Sequence, residues 1–245
     1  MTDPAPPLLD ATGLVRRYGE LVVLDGVDLR LAAGDAVGVV GPNGAGKTTL
    51  LSVLAGSVAA SAGTVRLRGD DITRLPPAAR CRLGIGRAHQ VPRPFGGMTV
   101  LENILVGASA GAALRGRAAY ARCIDVLERC GMADLANRRA ETLGLLHRKR
   151  LELARALATG PALVLLDEIG AGLTDAEADA LVTTIRAVRS GGVAIIWIEH
   201  IVHVLVQVVD RLVCMDAGRV IADGPPRSVM ASAAVIDAYL GRDAR

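Results

Sequence analysis

The sequence predicts an α/β fold with a largely parallel sheet, and three observations support this. Short apolar runs alternate with helical segments in the second half of the chain, a pattern typical of strands buried on both faces. A glycine-rich loop joins an apolar run to a helical segment. The composition of the 245 residues, 51% hydrophobic and 22% charged, allows a real core and disfavours disorder and coiled coils.

The first third of the chain alternates strand-like runs with turn signals, at LVVLDGVDLRL, GDAVGVVGPNG and GTVRLRGDDI. A helix is expected to begin inside GKTTLLSVLAG and to end near Gly56, since glycine is favoured just after a helix. Later in the chain, with helices between them, we expect strands at 162–167, 193–198 and 211–216. The segment 227–240 is expected to be a terminal helix.

The middle third is predicted to be helical. Residues 99–107 suit a short helix with a threonine cap, 118–130 carry one apolar stripe, and a third helix is expected near 146–158. We therefore expect a single domain over residues 1–245, with a helical subdomain inserted at 91–160.

Charge and residue usage exclude several classes of function. A net charge of +3 is too small to indicate nucleic-acid binding, and five aromatic residues are too few for an RNA-binding platform. The four cysteines form no CxxC pair and no metal-like spacing with histidine, which predicts free thiols in a reducing compartment.

No segment suggests export or a membrane span. The N-terminal run MTDPAPPLLDATG lacks the basic start and apolar centre of a signal peptide. The longest apolar stretch, 193–209, contains Glu199 and His200, which are costly in lipid, so it predicts a buried strand that continues into a helix. We expect a cytoplasmic chain that can still dock on a membrane protein.

The run GPNGAGKT at 41–48 matches the phosphate-loop pattern G-x-x-x-x-G-K-[ST], and it lies between an apolar strand and a helix as that motif requires. Its glycines allow tight turns, and main-chain N–H groups at the helix start form an anion cradle. Thr48 offers a hydroxyl to Mg²⁺. The nucleotide-contacting residues we expect are Tyr18, Gly41, Asn43, Gly44, Ala45, Gly46, Lys47, Thr48 and Thr49.

Lysine usage strengthens this assignment. The chain has only two lysines, Lys47 and Lys149, against twenty-six arginines. Lys47 stands where a compact ammonium is needed at the β- and γ-phosphates, a position that the wider, planar guanidinium does not suit. A lysine retained in so arginine-rich a chain is expected to have its own chemistry.

A second candidate site follows the apolar run LVLLDE at 163–168. Asp167, at the strand tip, can hold Mg²⁺ directly or through water, and Glu168 can orient and deprotonate the attacking water. The alternative is a strand that simply ends in a solvated acidic turn. The long separation of this site from Lys47 disfavours small GTPases, whose second site comes sooner.

Together with the run GIGRAHQVPRPFGGMTVLENILVGA at 84–108, these motifs resemble ABC transporter ATPase subunits over nearly the whole chain, most closely the branched-chain amino-acid importer type. The resemblance implies a P-loop NTPase of ABC type: a mixed and parallel sheet core, an N-terminal antiparallel β part and the inserted helical subdomain. It further implies that Gln90 contacts Mg²⁺ and the attacking water, that Tyr18 stacks on adenine and that His200 hydrogen-bonds the γ-phosphate.

The sequence departs from that family at its signature motif, roughly L-S-G-G-Q. We call residues 143–147 the signature segment; here they read Leu-Gly-Leu-Leu-His, so Gly144 lacks the serine hydroxyl, Leu146 replaces a glycine and His147 ends the motif. In the family this loop contacts the γ-phosphate bound by the partner subunit. Thr174, where the family usually has Asp or Asn, is a milder departure. The roles of the altered segment and of Lys149, just after it, stay open.

The resemblance implies an ATP-binding and ATP-hydrolysing subunit of an importer for branched-chain or related amino acids, with ATP and Mg²⁺ as ligands. Its expected partners are membrane permease subunits, a second ABC ATPase in a homo- or heterodimer and, indirectly, a periplasmic or lipid-anchored solute-binding protein. No nucleic acid is expected. The location implied is the inner face of the cell membrane.

Two other functions are considered. A regulatory or degenerate subunit that binds ATP with little turnover would explain the altered signature segment, but the pair Asp167–Glu168 and His200 argue against it. A soluble ABC ATPase acting on DNA or ribosomes usually carries coiled-coil insertions or a second cassette, and neither is seen here. The transported solute is chosen by other chains.

Overall fold

The computed structural model describes residues 7–240, so both ends of the expected 1–245 domain lie outside the described residues. The chain divides into two compact units. The first comprises Met1–Pro77 and Ile196–Arg245, and the second comprises Ala78–Ile195. The second unit contains the segment 91–160 of the expected helical subdomain.

The strands, in chain order, are β1 (Leu9–Tyr18), β2 (Leu21–Leu31), β3 (Ala36–Val40), β4 (Ala62–Leu67), β5 (Asp70–Asp71), β6 (Ile85–Ala88), β7 (Leu163–Asp167), β8 (Ala194–Ile198), β9 (Arg211–Asp216) and β10 (Arg219–Gly224). The α-helices are α1 (Lys47–Ala55), α2 (Pro77–Arg82), α3 (Val100–Val106), α4 (Gly116–Arg129), α5 (Leu145–Ala158), α6 (Asp175–Ser190), α7 (Val202–Leu205), α8 (Pro226–Met230) and α9 (Ala233–Leu240).

The first unit contains an antiparallel sheet in the order β2-β1-β4-β5. Its central strand, β1, pairs Leu9 with Leu31 on one side and with Leu67 on the other. Leu9, Ala11 and Leu14 are fully buried, so alternate positions of β1 supply part of the core. This sheet is the N-terminal antiparallel part that the family resemblance implies.

A second group of strands in the first unit is mixed, in the order β10-β9-β3. Strand β3 runs parallel to β9, with Val39 opposite Val213, whereas β10 is antiparallel to β9. All five residues of β3 are buried. The phosphate loop therefore starts from a fixed strand end and leads directly into α1.

In the second unit, β6 and β7 are parallel neighbours, with Ala88 opposite Leu166. Helices α3, α4 and α5 pack against one another, and α5 also contacts both strands. Because parallel strands end at the same edge of a sheet, the residues that follow β6 and β7 come together. Residues on the buried face of α5 therefore lie beside the same strands.

Most of the predicted elements are confirmed. The expected helices 99–107, 118–130 and 146–158 correspond to α3, α4 and α5. The terminal helix predicted over 227–240 is wrong, because the chain forms α8 and α9 with a break between them. The Ser232 carbonyl accepts the N–H of Ile236, so a new helix starts at a residue type favoured at helix starts.

The cysteines are free, as predicted. Cys123, Cys130 and Cys214 are buried and Cys81 is half-buried. Burial raises the pKa of Cys130 to about 12 and that of Cys214 to about 11. Among residues 7–240, no helix is both long enough and apolar enough to cross a membrane.

Candidate functional site

The phosphate loop, residues 41–48, requires glycine at two positions for steric reasons. Gly41 has φ 140° and Gly46 has φ 99°, conformations that other residues rarely adopt. A Cβ at Gly41 would lie 2.1 Å from the carbonyl oxygen of Met215, and one at Gly46 would lie 2.6 Å from that of Val23. The neighbouring strands thus fix the path of the loop.

Lys47 is buried where α1 begins, and its ammonium lies under the loop. Its Nζ donates to the Gly41 carbonyl at 2.7 Å and to the Pro42 carbonyl at 3.0 Å. Gly46, in the left-handed conformation, provides no side-chain cap for α1. The helix start therefore presents main-chain N–H groups and a positive charge together, as phosphate binding requires.

The other residues predicted to contact nucleotide also lie in the first unit. Asn43, Gly44 and Thr48 are exposed, Ala45 is buried and Thr49 is half-buried.

Tyr18 ends β1, is 48% exposed, and has the Arg16 guanidinium 4.2 Å from its ring centroid. His200 is exposed just beyond β8.

In the second unit, the residues at and just beyond the ends of β6 and β7 form what we call the acidic edge: Gln90, Asp167 and Glu168. The Gln90 amide nitrogen, Nε2, donates to Glu168 Oε2 at 2.6 Å. Asp167 Oδ2 accepts from the Arg87 guanidinium, also at 2.6 Å, and both of these side chains are largely buried. Within this unit the structure therefore brings Gln90, Asp167 and Glu168 together.

Glu168 has an unusual backbone. Its φ of 47° lies in the left-handed region, which costs a residue with a side chain about 1 kcal/mol or more. Its carbonyl accepts the N–H of Ala171 at 3.2 Å. Such strain persists only where the surroundings hold the residue in place, and it is common at functional positions.

Helix α5 holds the loop that contains Gln90. Lys149, 3% exposed, donates from Nζ to the Gln90 carbonyl at 3.0 Å and to the Glu168 carbonyl at 3.4 Å. Two turns later, Arg155 donates to the Arg93 carbonyl at 2.8 Å, and its guanidinium lies 4.9 Å from the Phe95 ring centroid. The loop is thus attached to α5 at two points.

Glu152, on the same helix, connects two of these groups. Its carboxylate accepts from Arg155 at 3.0 Å and lies 3.1 Å from His89 Nδ1. Burial acts to raise the pKa of Glu152, but the hydrogen bond to His89 and the charge of Arg155 outweigh it, and the pKa is lowered. Asp167, Gln90 and these side chains line a cavity of about 530 Å³.

The signature segment has no hydroxyl at the start of α5. Gly144 occupies the N-cap position in an extended conformation and makes no side-chain cap. Leu145 is 41% exposed. Burial, and next the charges of Arg150 and Arg138, lower the pKa of His147, which favours its neutral ring.

Thr174, the second departure, has a structural explanation. It is the N-cap of α6: its hydroxyl accepts the N–H of Glu177 at 3.4 Å, and its own N–H donates to the Glu177 carboxylate at 2.9 Å. This reciprocal capping box is a role that Asp, Asn and Thr all serve. The substitution therefore keeps the local chemistry.

Sequence reasoning missed Arg87 and Tyr239 at these sites and left the role of Lys149 open. Arg87 pairs with Asp167, Lys149 contacts the main chain at Gln90 and Glu168, and the Tyr239 hydroxyl accepts the Gly41 N–H at 2.8 Å. A charged residue in the short apolar strand β6 was a signal for Arg87. No local pattern indicates the partners of Lys149 or Tyr239.

In each unit, the protein oxygen atoms can hold Mg²⁺ only together with phosphate oxygens. Within residues 7–240, no three His, Cys, Asp or Glu side chains cluster so as to hold a metal ion. Asp167 and Gln90 carry oxygen atoms at the acidic edge, and Thr48 offers an exposed hydroxyl at the start of α1. Mg²⁺ is commonly held by one or two protein oxygens together with substrate phosphates, and the oxygens in each unit are of the kind that it takes.

Comparison with known proteins identifies the families that this chain resembles. Residues 24–171 match the ABC transporter family, and residues 219–245 match the branched-chain amino acid ATP-binding cassette transporter family. The chain is 36% identical to the high-affinity branched-chain amino acid transport ATP-binding protein BraF of Pseudomonas aeruginosa and to LivG of Escherichia coli, with 96% of this chain and 98% of each relative covered.

Solved structures are similar over the same length. The ADP conformation of an ATP-binding cassette of an ABC transporter has a TM-score of 0.88 at 30% identity, covering 96% of this chain and 99% of that one. A nucleotide-free ATP-binding cassette from an ABC transporter has a TM-score of 0.87 at 29% identity, covering 96% and 100%.

Proposed function

This chain belongs to the ABC transporter family of ATPases, and from that premise we propose that it is the ATP-binding and ATP-hydrolysing subunit of an importer for branched-chain or related amino acids. The match of residues 219–245 to the branched-chain cassette family and the likeness to BraF and LivG support this solute class. The observation that carries the hydrolytic role is the 2.6 Å hydrogen bond between Gln90 and Glu168.

Each motif has a part in the reaction. The phosphate loop binds the β- and γ-phosphates through its main-chain N–H groups, and Lys47 exchanges its contacts with the Gly41 and Pro42 carbonyls for phosphate oxygens. Tyr18 presents an exposed ring on which the adenine stacks. His200 hydrogen-bonds the γ-phosphate.

Glu168 is the general base. Its carboxylate accepts a proton as water attacks the γ-phosphorus; the bond to the β–γ bridging oxygen breaks, and ADP and inorganic phosphate are released. Gln90, hydrogen-bonded to that carboxylate, orients the same water. Mg²⁺ held by Thr48, Asp167, Gln90 and phosphate would neutralise charge on the phosphate oxygens.

We infer that the subunit works in a dimer of ATPase subunits at the cytoplasmic face of the membrane, attached to permease subunits and served by a solute-binding protein. Its signature segment supplies a glycine and leucines where a hydroxyl and close main-chain approach are needed. In a heterodimer, the productive site would combine this Lys47 and Glu168 with the intact signature of the other subunit.

The test is Glu168→Gln in the transporter purified from native membranes through a tag on this chain. We expect phosphate release to fall about 100-fold or more while ATP binding is retained, because a base is lost and the phosphate loop is untouched. Glu128→Gln, a change at an exposed position of α4, is the matched control. Retention of most ATPase activity in Glu168→Gln would overturn the hydrolytic role.

The same preparation separates the alternatives. A regulatory subunit with little turnover predicts equal phosphate release from native and Glu168→Gln complexes. The solute class is tested by uptake of radiolabelled leucine into proteoliposomes loaded with ATP. Uptake that unlabelled isoleucine or valine fails to reduce would contradict branched-chain import.

A further inference from the structure

Lys149 lies inside the protein although it follows an exposed segment. Leu145, at the start of α5, is 41% exposed, whereas Lys149, one turn later, is 3% exposed. Placing a lysine ammonium away from water costs free energy unless polar groups receive it. Its burial therefore points to an internal role and not to direct contact with a nucleotide on a partner subunit.

The acceptors of Lys149 belong to two separate loops. Its Nζ donates to the Gln90 carbonyl, after β6, and to the Glu168 carbonyl, after β7. These are the two residues whose side chains hydrogen-bond each other at 2.6 Å. One ammonium thus connects the main chains from which the proposed base and its amide partner extend.

The strained backbone of Glu168 makes this connection informative. At φ 47° the residue needs external contacts to hold it, and Lys149 and the N–H of Ala171 both donate to its carbonyl. Removing the ammonium would remove one of these contacts and let the Glu168 carboxylate shift relative to Gln90. Misplacing a catalytic group by about 1 Å can slow a reaction about 100-fold.

We propose that Lys149 is a positioning residue for ATP hydrolysis, which fixes the main chains of Gln90 and Glu168 so that their side chains meet at the attacking water. It acts on the site that contains this chain's own base and replaces none of the lost signature contacts. The inference rests on the proposed hydrolytic function and names a residue that the function alone does not assign.

The experiment compares Lys149→Met with Arg150→Met in the purified transporter. Arg150 is the next residue of α5 and donates to the Ala180 carbonyl, away from the acidic edge, so it controls for loss of one cation from this helix. For Lys149→Met we expect kcat to fall about 100-fold with KM for ATP changed by less than about twofold. Arg150→Met is expected to keep kcat within about twofold of the native value.

Further variants keep the test decisive. Lys149→Gln keeps a hydrogen-bond donor but no charge, and we expect its kcat to lie between those of Lys149→Met and the native protein. If Lys149→Met does not fold, Lys149→Gln is judged by the same criteria in its place. Native kcat in a folded Lys149 variant, an effect on KM alone, or an equal loss in Arg150→Met would overturn the proposal. Glu168→Gln is measured in parallel: if it too keeps native activity, the proposed function fails, whereas its inactivity beside an active Lys149→Met rejects only the positioning role.

Discussion

Helices α1 and α5 both begin beside a glycine that supplies no side-chain cap, and each carries one of the two lysines near its start. Both lysines are buried and both donate to main-chain carbonyls. They differ in where those carbonyls lie. Lys47 contacts its own loop, five and six residues away, whereas Lys149 contacts loops 59 and 19 residues away.

The difference separates a binding role from a supporting one. Carbonyls within one short loop release an ammonium easily when phosphate arrives, since only that loop adjusts. Carbonyls on two distant loops hold the ammonium as part of the tertiary structure. The two lysines are similarly buried, but Lys47 is suited to bind a ligand, whereas Lys149 stabilises the protein's own loops.

Two other helices begin with the side-chain caps that α1 and α5 lack. Helices α3 and α6 close their own first turns with capping boxes, Thr99 with Glu102 and Thr174 with Glu177. Helix α4 also starts without a side-chain cap, so the missing cap alone does not mark a site. At α1 the loop geometry and Lys47 add the specificity, whereas α5 begins with exposed Leu145 and half-buried Leu146, which offer no polar side chain.

The largest expected effect tests the binding lysine. Lys47→Arg should lower phosphate release about 1000-fold, because the planar guanidinium does not fit the space under the phosphate loop and a key donor is lost. Phosphate release and equilibrium ATP binding are the measurements. Arg219→Lys, at an exposed pair with Asp25, is the reverse change and should have no effect. Near-native activity in Lys47→Arg would remove the contrast between the two lysines.

The next effect concerns the ion pair beneath the acidic edge. Arg87→Met should destabilise the protein by about 3 kcal/mol, since it removes the counter-ion of a buried carboxylate. Urea unfolding measures this. Asp167→Asn and the double variant complete a thermodynamic cycle, in which the double change should cost clearly less than the two single changes together. Additive costs would show that the ion pair between Arg87 and Asp167 does not stabilise this edge.

A smaller effect is expected at the start of α5. In a Glu168→Gln background, Gly144→Ser combined with Leu146→Gly should raise phosphate release about tenfold, since one restored phosphate contact is worth about 1.4 kcal/mol. The background removes this chain's own site, so a gain reports the partner's site. An unchanged rate would mean that these two substitutions do not restore the lost contact.

The smallest effect tests a capped helix start. Thr174→Ala should lower the free energy of unfolding by about 1 kcal/mol, because α6 loses its N-cap hydroxyl. Thr174→Asp, which keeps a side-chain acceptor, is the matched control and should be close to native. Urea unfolding again provides the measurement. Equal stability of Thr174→Ala and native protein would show that this cap contributes little.

The sequence predicted those parts of the fold and site whose functional residues are adjacent in the chain. The phosphate loop and the run ending in Asp167 and Glu168 each combine a motif with its flanking strand, so their placement followed directly. The break near Ser232 was missed because no glycine or proline separates α8 from α9. Strand β1 was not among the predicted strands, although its buried positions alternate in part.

The contacts of Lys149 could not be predicted, because they depend on how two distant loops are brought to one helix. Its burial follows from the register of α5 against β6 and β7, which no local pattern fixes. The role of Thr174 also could not be predicted from the sequence. The structure shows that this residue keeps a side-chain acceptor at the start of α6, as a capping box with Glu177.

The distribution of the four thiols gives the native chain a convenient point of attachment for a probe. Cys123, Cys130 and Cys214 are buried, and burial raises the pKa of each, so little reactive thiolate forms there near neutral pH. Cys81, half-buried on α2, is the accessible thiol among the four. A maleimide dye or spin label should therefore mark a single position in the second unit, without a cysteine-free background, and report its movement during the transport cycle.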